Sequence, residues 1–165
     1  MVHHADDSVI RVIEGPQSEH FSPAAWETLL STPYRISARS DRMGVRLEGS
    51  TLTHTDKGYN IVSDGIALGS IQVPGNGQPI VLGADRQTTG GYPKIAVIAR
   101  ADMFRFAQRP PGATVRFQSI SAEQGADALR RLVGYLDRLV LRSALPVLNS
   151  ERLLGLNLID GGVWE

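Results

Sequence analysis

Cysteine is absent from this 165-residue sequence. Its absence excludes disulfide bonds, thiolate nucleophiles and zinc sites built on cysteine. An excess of charge is also lacking, because 17 basic residues balance 17 acidic ones. A neutral chain offers no extended basic surface to nucleic acid or to anionic lipid. We therefore expect neither nucleic acid nor a membrane as a partner.

Long hydrophobic runs and targeting signals are also missing. No apolar run approaches the roughly 20 residues that span a bilayer, and the N-terminal MVHHADDSVI has no basic region followed by a long apolar one. We therefore expect a cytoplasmic protein. With 42% apolar residues, the length suits one domain with a proper core. We expect a flexible tail or linker over residues 1–8 and a single domain over residues 9–165.

What the sequence does contain is a series of short β-prone runs. From Tyr34 to Phe117 these runs alternate with glycine, proline and aspartate. Short strands that are separated by such turn-forming residues about every 8 to 12 residues are typical of a β-sandwich or barrel. A further strand is predicted for SVIRVIEGP, with its end at Gly15.

Helical patterns flank this β-rich region. FSPAAWETLLS predicts a short helix, capped by Ser22 with Pro23 in its first turn, and ADMFRFAQ indicates one helical turn. Ser121 and Gln124 form a capping-box pattern that begins a long helix, which we expect to end at Pro146. The apolar tail after it is expected to pack on this domain or on another chain. Helical spacing predicts the buried face of the long helix: Ala126, Leu129, Leu132, Val133, Leu136, Leu139 and Val140.

Three familiar kinds of site have little support. His3 and His4 lie near two aspartates, but a terminal segment fixes no metal geometry. The G-x-S-x-G nucleophile elbow of many serine hydrolases is absent. TTGGYPK has glycines before a lysine, but it lacks the phosphate-loop spacing, and Pro93 removes a backbone donor. We therefore predict no metal site, and the case for a nucleotide site in this segment is weak.

A set of polar loops is the strongest candidate for a site. The stretch QTTGGYPK alone holds an amide, two hydroxyls, a Gly-Gly pair and one of the two lysines in the chain. Neutral donors and acceptors dominate these loops, which suits the edges of an amide, a ureido ring or a lactam. The alternative is that they are ordinary hairpin turns. The candidate residues are Ser40, Asp41, Arg42, Ser63, Asp64, Ser70, Gln72, Gln78, Asp85, Gln87, Thr88, Thr89, Gly90, Gly91, Tyr92 and Lys94.

Several long motifs in and around these loops resemble a known family. SDRMGVRLEG, IVSDGIALGSIQVPGNGQPIVLGADRQTTGGYPKIAVIARAD and AQRPPGATVRF are similar to the C-terminal half of the allophanate hydrolase subunit 2 family. That family is also called the biotin-dependent carboxyltransferase family or the family of the 5-oxoprolinase C component. The resemblance runs from about Ile10 to Phe117, and the next helix and NLIDGGV are also similar. It is specific, because the motifs occur in the right order.

The resemblance implies a mainly β fold, a cyclophilin-like barrel with one short and one long flanking helix. It also implies three kinds of role. One branch is a subunit of an ATP-dependent 5-oxoprolinase, which opens 5-oxoproline to glutamate, and this is the function we expect. A second branch, the carboxyltransferase part of urea carboxylase, moves a carboxyl group from biotin to urea. A third is associated with a regulator that counters a sporulation-kinase inhibitor, which leaves open a non-catalytic binding module.

The resemblance also sets expectations for partners and cofactors. Members of the family carry an N-terminal half of similar size, and this chain begins where that half should end. We therefore expect the chain to work with that half and with a subunit 1-type partner on a small amide or lactam. ATP would be bound by a partner subunit, and biotin would arrive on another protein, because no Met-Lys-Met attachment motif is present. The domain alone is expected to bind no cofactor and to be inactive.

The expected roles follow from residue types within the matching motifs. Lys94 and Arg42 are expected to stabilise charge on a carbonyl oxygen. Asp64 or Asp85 is expected to accept a proton or to orient the lysine. The alternative for Lys94 is a surface residue that closes a turn. Substrate binding is assigned to Ser40, Ser70, Gln72, Gln78, Gln87, Thr88, Thr89, Gly90, Gly91 and Tyr92.

Overall fold

The computed structural model describes residues 8–139. The two N-terminal histidines, most of the predicted tail over residues 1–8 and the apolar C-terminal segment lie outside this range. Two compact units divide the chain, Met1–Val133 and Gly134–Glu165. The second unit is described only over residues 134–139. The expectation of a single domain over residues 9–165 therefore stays a prediction.

Nine β-strands lie within the described residues. Their bounds are β1 Val9–Glu14, β2 Tyr34–Ile36, β3 Gly44–Glu48, β4 Asp64–Gly65, β5 Ser70–Gln72, β6 Ile80–Leu82, β7 Thr89–Gly90, β8 Lys94–Ile98 and β9 Thr114–Ser119. Seven of them form a closed barrel in the order β1-β8-β5-β6-β3-β2-β9, and β4 and β7 form a separate two-stranded ribbon. The prediction of a mainly β barrel is confirmed.

The first and last strands close the barrel. β1 runs parallel to β9, with Val9 opposite Arg116, whereas all other neighbouring strands of the barrel are antiparallel. Closure leaves the barrel without an unpaired edge strand. Alternation along β1 buries Ile10 and Val12 completely, while Arg11 between them is only partly buried.

The barrel interior is filled by apolar side chains from all seven of its strands. Close packing makes this interior rigid, so that the outer face of the barrel is a firm surface on which other groups can be held. Representative core residues are Ile10, Tyr34, Leu47, Ile71, Val81, Ile95 and Phe117.

A row of four residues crosses the outer face of the barrel and positions the candidate site. Arg46 on β3 lies opposite Ile80 on β6, Ile80 lies opposite Gln72 on β5, and Gln72 lies opposite Lys94 on β8. The next residue along each of these strands belongs to the core, so the side chains of the four point outward. We refer to Arg46, Ile80, Gln72 and Lys94 as the outer row.

The ribbon of β4 and β7 approaches the outer row closely. Within it, Asp64 lies opposite Gly90, and Gly65 lies opposite Thr89. A Cβ atom on Gly90 would lie only 2.9 Å from Nε2 of Gln72. The ribbon therefore passes next to the middle of the outer row, in contact with it.

Three α-helices flank the strands: α1 Pro23–Ser31, α2 Met103–Ala107 and α3 Ala122–Asp137. The predicted cap of α1 is confirmed, because Oγ of Ser22 accepts a hydrogen bond from N of Ala25 at 3.1 Å. The single turn predicted for ADMFRFAQ is α2. Among the helices that the structure describes, none has the length and apolar content needed to cross a bilayer.

The long helix α3 begins as predicted and ends earlier. N of Gln124 donates to Oγ of Ser121 at 3.1 Å, and N of Ser121 donates to Oε1 of Gln124 at 2.8 Å, which confirms the capping box. The helix ends at Asp137, so the prediction that it continues to Pro146 is wrong. Val140 and Pro146 lie outside the described residues.

The buried face of α3 also differs from the prediction. Ala126 is exposed, and Gly125 and Ala128 are buried instead. A Cβ atom on Gly125 would lie 2.8 Å from Cδ1 of Ile13. The helix packs so closely on β1 that only small residues fit at the contact. Leu129 and Leu132 are partly buried, and the remaining described positions of the predicted face are about half exposed: Val133 48%, Leu136 52% and Leu139 48%.

A buried ion pair ties β1 to the turn before α2. Asp102 is 1% exposed, and its carboxylate accepts hydrogen bonds from N and Nε of Arg11 at 2.9 Å each and from Nη2 at 2.5 Å. Burial raises the pKa of Asp102, but the hydrogen bonds and charge of Arg11 outweigh it and hold this pKa below its ordinary value. The carboxylate therefore remains charged inside the protein.

Candidate functional site

A cavity of about 290 Å³ lies between the outer row and the ribbon. Three members of the outer row form its floor, and β7 with the loop around it forms one wall. The volume is at the lower end of the range of about 300 to 1,000 Å³ that is typical of small-molecule sites, which suits a ligand of few atoms. The lining residues are Asp41, Met43, Gly44, Arg46, Ile66, Gln72, Ile80, Leu82, Gln87, Gly90, Gly91 and Tyr92.

Gln72 is the most deeply buried polar residue of this lining. It is 7% exposed, and its Nε2 donates to the backbone oxygen of Tyr92 across a long 3.4 Å. Its Oε1 has no hydrogen-bond partner among residues 8–139. This oxygen is not fully enclosed, so water or a ligand in the cavity can pair with it. The amide oxygen is therefore suited to accept a hydrogen bond from a ligand N–H.

The turn before β3 and β3 itself supply the charged part of the lining, Asp41 and Arg46. Oδ1 of Asp41 accepts hydrogen bonds from N of Met43 at 2.8 Å and from N of Gly44 at 2.9 Å, which fixes the turn. N of Arg46 donates to Oγ of Ser40 at 3.0 Å. The guanidinium of Arg46 makes no hydrogen bond or ion pair with the described residues. Among the described residues that line the cavity, Arg46 is the only basic one.

The Gly-Gly pair of the wall has two different environments. A Cβ atom on Gly90 would lie 2.8 Å from Cδ1 of Ile66 and 2.9 Å from Nε2 of Gln72. A Cβ atom on Gly91 would meet its nearest neighbour, the oxygen of Ile61, at 3.6 Å, an ordinary contact. The close approach of the ribbon to Gln72 therefore depends on Gly90 and not on Gly91.

Lys94 is buried beside the ribbon and does not line the cavity. It is 1% exposed, and its Nζ donates to Oδ2 of Asp64 at 2.8 Å. Gln17 joins the same pair, because its Nε2 donates to Oδ2 of Asp64 at 2.9 Å and its Oε1 accepts from N of Lys94 at 3.3 Å. These three residues fasten the ribbon to β8. Asp64 thus contacts the lysine directly. Its predicted role in orienting the lysine stays a prediction.

The hydrogen bond from Lys94 lowers the pKa of Asp64 to about 2, and the hydrogen bonds from Gln17 and from N of Gly65 act in the same direction. The ordinary value is 3.8, so the pair contributes its full stabilisation above that pH and loses it as the pH falls toward 2. The Asp64 side chain is 50% exposed, so solvent screens the pair.

Five of the predicted substrate-binding residues line the cavity: Gln72, Gln87, Gly90, Gly91 and Tyr92. The other five do not: Ser40, Ser70, Gln78, Thr88 and Thr89. Ser40 holds the backbone of β3, and Gln78 bonds to the backbone oxygen of Gly49 at 3.1 Å and to its nitrogen at 3.2 Å. Ser70 is 1% exposed, and its Oγ has no partner among the described residues.

The remaining candidates are exposed and lie outside the cavity. Nε of Arg42 lies 2.9 Å from Oδ2 of Asp85, with the side chains 82% and 49% exposed. Such a screened pair contributes at most about 1 kcal/mol. Ser63, Thr88 and Thr89 are also exposed. The catalytic roles of Arg42 and Asp85 stay predictions.

Sequence reasoning missed two polar residues in and beside the site, Arg46 and Gln17, as well as the apolar part of the lining. Arg46 had a usable signal, since it lies between two apolar residues of a strand-like run and must face the opposite side. Gln17 had none, because its partner Lys94 is 77 residues away in the chain.

Known proteins with similar sequences fall into two groups. The C component of the 5-oxoprolinase of Escherichia coli (strain K12) is 41% identical over 133 residues, which cover 81% of this chain and 43% of that protein. The protein of the same name from Haemophilus influenzae is 38% identical, covering 79% and 42%. A putative urea carboxylase of Emericella nidulans is 27% identical, covering 76% and 11%. The chain thus spans less than half the length of each of these relatives.

A solved structure and a family profile also match this chain. The crystal structure of Kluyveromyces lactis urea carboxylase matches 87% of this chain and 14% of that one, with a TM-score of 0.76 and 22% identity. Identity at this level shows the fold alone. The sequence profile of the carboxyltransferase domain, subdomain A and B, matches residues 1–119. The chain belongs to this family of carboxyltransferase domains.

Proposed function

We propose that this chain is part of an ATP-dependent 5-oxoprolinase, which opens 5-oxoproline to glutamate. The observation that carries the proposal is the high identity to the C component of the Escherichia coli 5-oxoprolinase, which exceeds the identity to the urea carboxylase relative. Because the chain spans less than half of that component, we propose that it works with the other half of the family unit and with a subunit 1-type partner.

The cavity supports a small lactam as the ligand. A lactam ring offers an N–H donor, a carbonyl acceptor and an apolar methylene edge. Gln72 offers a matching acceptor in its unpaired Oε1, and Ile80 and Leu82 offer apolar surface in the same cavity. The pairing gives a partner to an oxygen that has none among the described residues.

The chain is proposed to hold the amide while partner subunits supply the energy of ATP. Ring opening needs an amide that is fixed in one orientation and shielded from stray water. Gln72 and Gln87, which line the cavity, are proposed to fix the amide, and the ribbon is proposed to shield it. Lys94 is proposed to act through the ribbon, because its Nζ is bound to Asp64 and lies outside the cavity lining. A direct role for Lys94 would require this bond to open.

The test is glutamate release from 5-oxoproline and ATP by the complete complex. The complex contains this chain, the other half of the family unit and the subunit 1-type partner. We expect release to depend on all components, and in particular to stop when this chain is left out. Release that continues at the same rate without this chain would overturn the proposal.

Carboxyl transfer from biotin to urea is the second candidate. The carboxyltransferase profile and the urea carboxylase relative favour it. The same complex would be given a carboxybiotin-carrying protein and urea, and carboxylated urea would be measured. Transfer to urea together with no glutamate release from a properly assembled complex would replace the first proposal by this one.

A further inference from the structure

We propose that Arg46 makes the cavity specific for amides that carry a carboxylate. In this arrangement the Arg46 guanidinium binds the carboxylate of the ligand, and Oε1 of Gln72 accepts its amide N–H. The inference rests on the proposed function and narrows its substrate class to carboxylate-bearing lactams. Neutral amides such as urea are expected to bind weakly.

The outer row sets the distance between Arg46 and Gln72, the two residues proposed to bind the ligand. Arg46 and Gln72 flank Ile80 on neighbouring strands. Adjacent strands lie about 4.8 Å apart, so the two backbone positions are about 10 Å apart, and both side chains line the same cavity. A small ring whose N–H and carboxylate lie on neighbouring atoms fits between two side chains of this length. Its methylene edge would then rest on Ile80.

The charge on Arg46 is available to a ligand. Several other arginines have carboxylate partners, as Arg11 does with Asp102 and Arg42 does with Asp85. Arg46 has neither an ion pair nor a side-chain hydrogen bond within the described part of the chain. A guanidinium presents paired donors that match a carboxylate in a bidentate geometry.

Asp41 limits how the ligand can be oriented. It is the only acidic residue among those that line the cavity in the described chain. Its Oδ1 is held by two backbone N–H groups of the turn. A ligand carboxylate is repelled by this fixed negative charge and attracted by Arg46. The two charges together favour one orientation of the ring.

Gln72 provides the second, independent sign of a ligand. It is 7% exposed, and its Oε1 is unpaired among the described residues. Because Gly90 has no side chain, nothing larger than a hydrogen atom projects from that position toward the amide. An unpaired amide oxygen that a ligand can reach in a cavity wall is the pattern expected of a site that a polar ligand completes.

The experiment compares two ligands and two variants in the full chain assembled with its partners. The ligands are 5-oxoproline and 2-pyrrolidinone, which has the same ring without the carboxylate. The variants are Arg46→Gln and the control Arg116→Gln, an exposed arginine on β9 that lines none of the described cavities. Dissociation constants are measured by calorimetry, and KM and kcat by glutamate release.

Arg46→Gln is expected to weaken 5-oxoproline binding about 10-fold and to raise KM by a similar factor, with kcat little changed. Binding of 2-pyrrolidinone is expected to be weak in the wild type and unaffected by the variant. Arg46→Lys should recover part of the loss, because it keeps the charge without the paired donors. Arg116→Gln should behave as the wild type.

The outcomes separate this inference from the proposed function. Turnover of 5-oxoproline with a KM that Arg46→Gln leaves unchanged would overturn the inference and leave the function standing. Absence of turnover, together with 5-oxoproline binding that depends on Arg46, would overturn the function and support the carboxylate site. Equal affinity for the two ligands in the wild type would overturn the inference in either case.

Discussion

The floor and the wall of the cavity are built in different ways. The floor is the outer face of the barrel, where each residue of the outer row is followed along its strand by a core residue. The wall includes the ribbon, whose two strands have two residues each. The floor is held by the packed core beneath it. The ribbon is held by the Lys94–Asp64–Gln17 contacts and by the close fit of Gly90. Changes to the core beneath the floor should therefore alter stability alone, whereas changes to the ribbon should alter the site as well.

The largest loss of stability is expected when the ion pair between Asp102 and Arg11, which holds the barrel, is removed. Asp102→Ala leaves Arg11 without its buried partner, which should lower the free energy of unfolding by about 3 to 5 kcal/mol. Urea denaturation measures the change. Asp127→Ala is the matched control, because Asp127 pairs with Arg130 on the exposed surface of α3, where the cost should stay below about 0.5 kcal/mol. Equal losses of unfolding free energy in Asp102→Ala and Asp127→Ala would show that the ion pair of Asp102 stabilises the protein no more than an exposed one.

The next largest effect on stability is expected at Gly90, one residue of the Gly-Gly pair in the cavity wall. Gly90→Ala places a Cβ atom against Ile66 and Gln72, and such overpacking typically costs about 1 to 3 kcal/mol. Because the displaced groups line the cavity, KM for the ligand should rise as well. Gly91→Ala has room for its Cβ atom and should leave the free energy of unfolding unchanged, and its effect on KM should be the smaller of the two although this residue also lines the cavity. If both variants raise KM alike, the proposed contact between Gly90 and Gln72 does not limit the site.

The two lysines of the chain give a comparison of the ribbon with the open surface. Lys94→Met keeps the apolar stem and removes the charge that holds Asp64, so the ribbon should loosen and kcat/KM of the complex should fall about 10-fold. Limited proteolysis within residues 61–66 measures the loosening. Lys57→Met removes an exposed lysine 3.8 Å from Glu19 and should leave both readouts unchanged.

A larger loss of activity in Lys94→Met would indicate a direct catalytic role for Lys94. If Lys94 stabilises charge on the reacting oxygen itself, its removal should cost about 3 kcal/mol, on the order of 100-fold in rate. That loss would occur without any change in the proteolysis of the ribbon. The pair of readouts therefore separates a catalytic lysine from a positioning one.

The smallest expected effect is a pH dependence of the ribbon contact. The pKa of Asp64 is lowered from 3.8 to about 2, so the folded state holds its charge more strongly than the unfolded state does. Its stabilisation is complete above pH 3.8 and should disappear as the pH falls toward 2. Unfolding of wild type and Asp64→Asn is compared across this range. Their free energies should converge toward low pH, and parallel curves would contradict the assignment.

The barrel was predictable because its signals are local. Alternation of apolar and polar residues marked the strands, and Ser22 and Ser121 marked the helix starts. The buried face of α3 was mispredicted, since side-chain hydrophobicity does not reveal that Gly125 must lie against Ile13. Contact distance between two elements is a tertiary property, and it decided which residues were buried.

The site was predictable only where polar residues crowd into one loop. Gln87 to Tyr92 stood out for that reason, and most of them do line the cavity. Arg42 and Asp85 look equally polar in sequence, yet they neutralise each other on the surface. Arg46 and Gln72 come together only through the register of three strands. Register depends on pairing between distant segments, which a single sequence does not display.

The parallel pairing of β1 with β9 has a consequence for how the chain folds. Val9 must meet Arg116, more than a hundred residues later, before the barrel can close. Closing so large a loop carries an entropic cost before any contact compensates for it. We infer that the seam between β1 and β9 forms last, because β9 leaves the ribosome after all other strands of the barrel, including β8, the second neighbour of β1. The cavity floor, made from strands between these two, would then form ahead of the seam that closes the barrel.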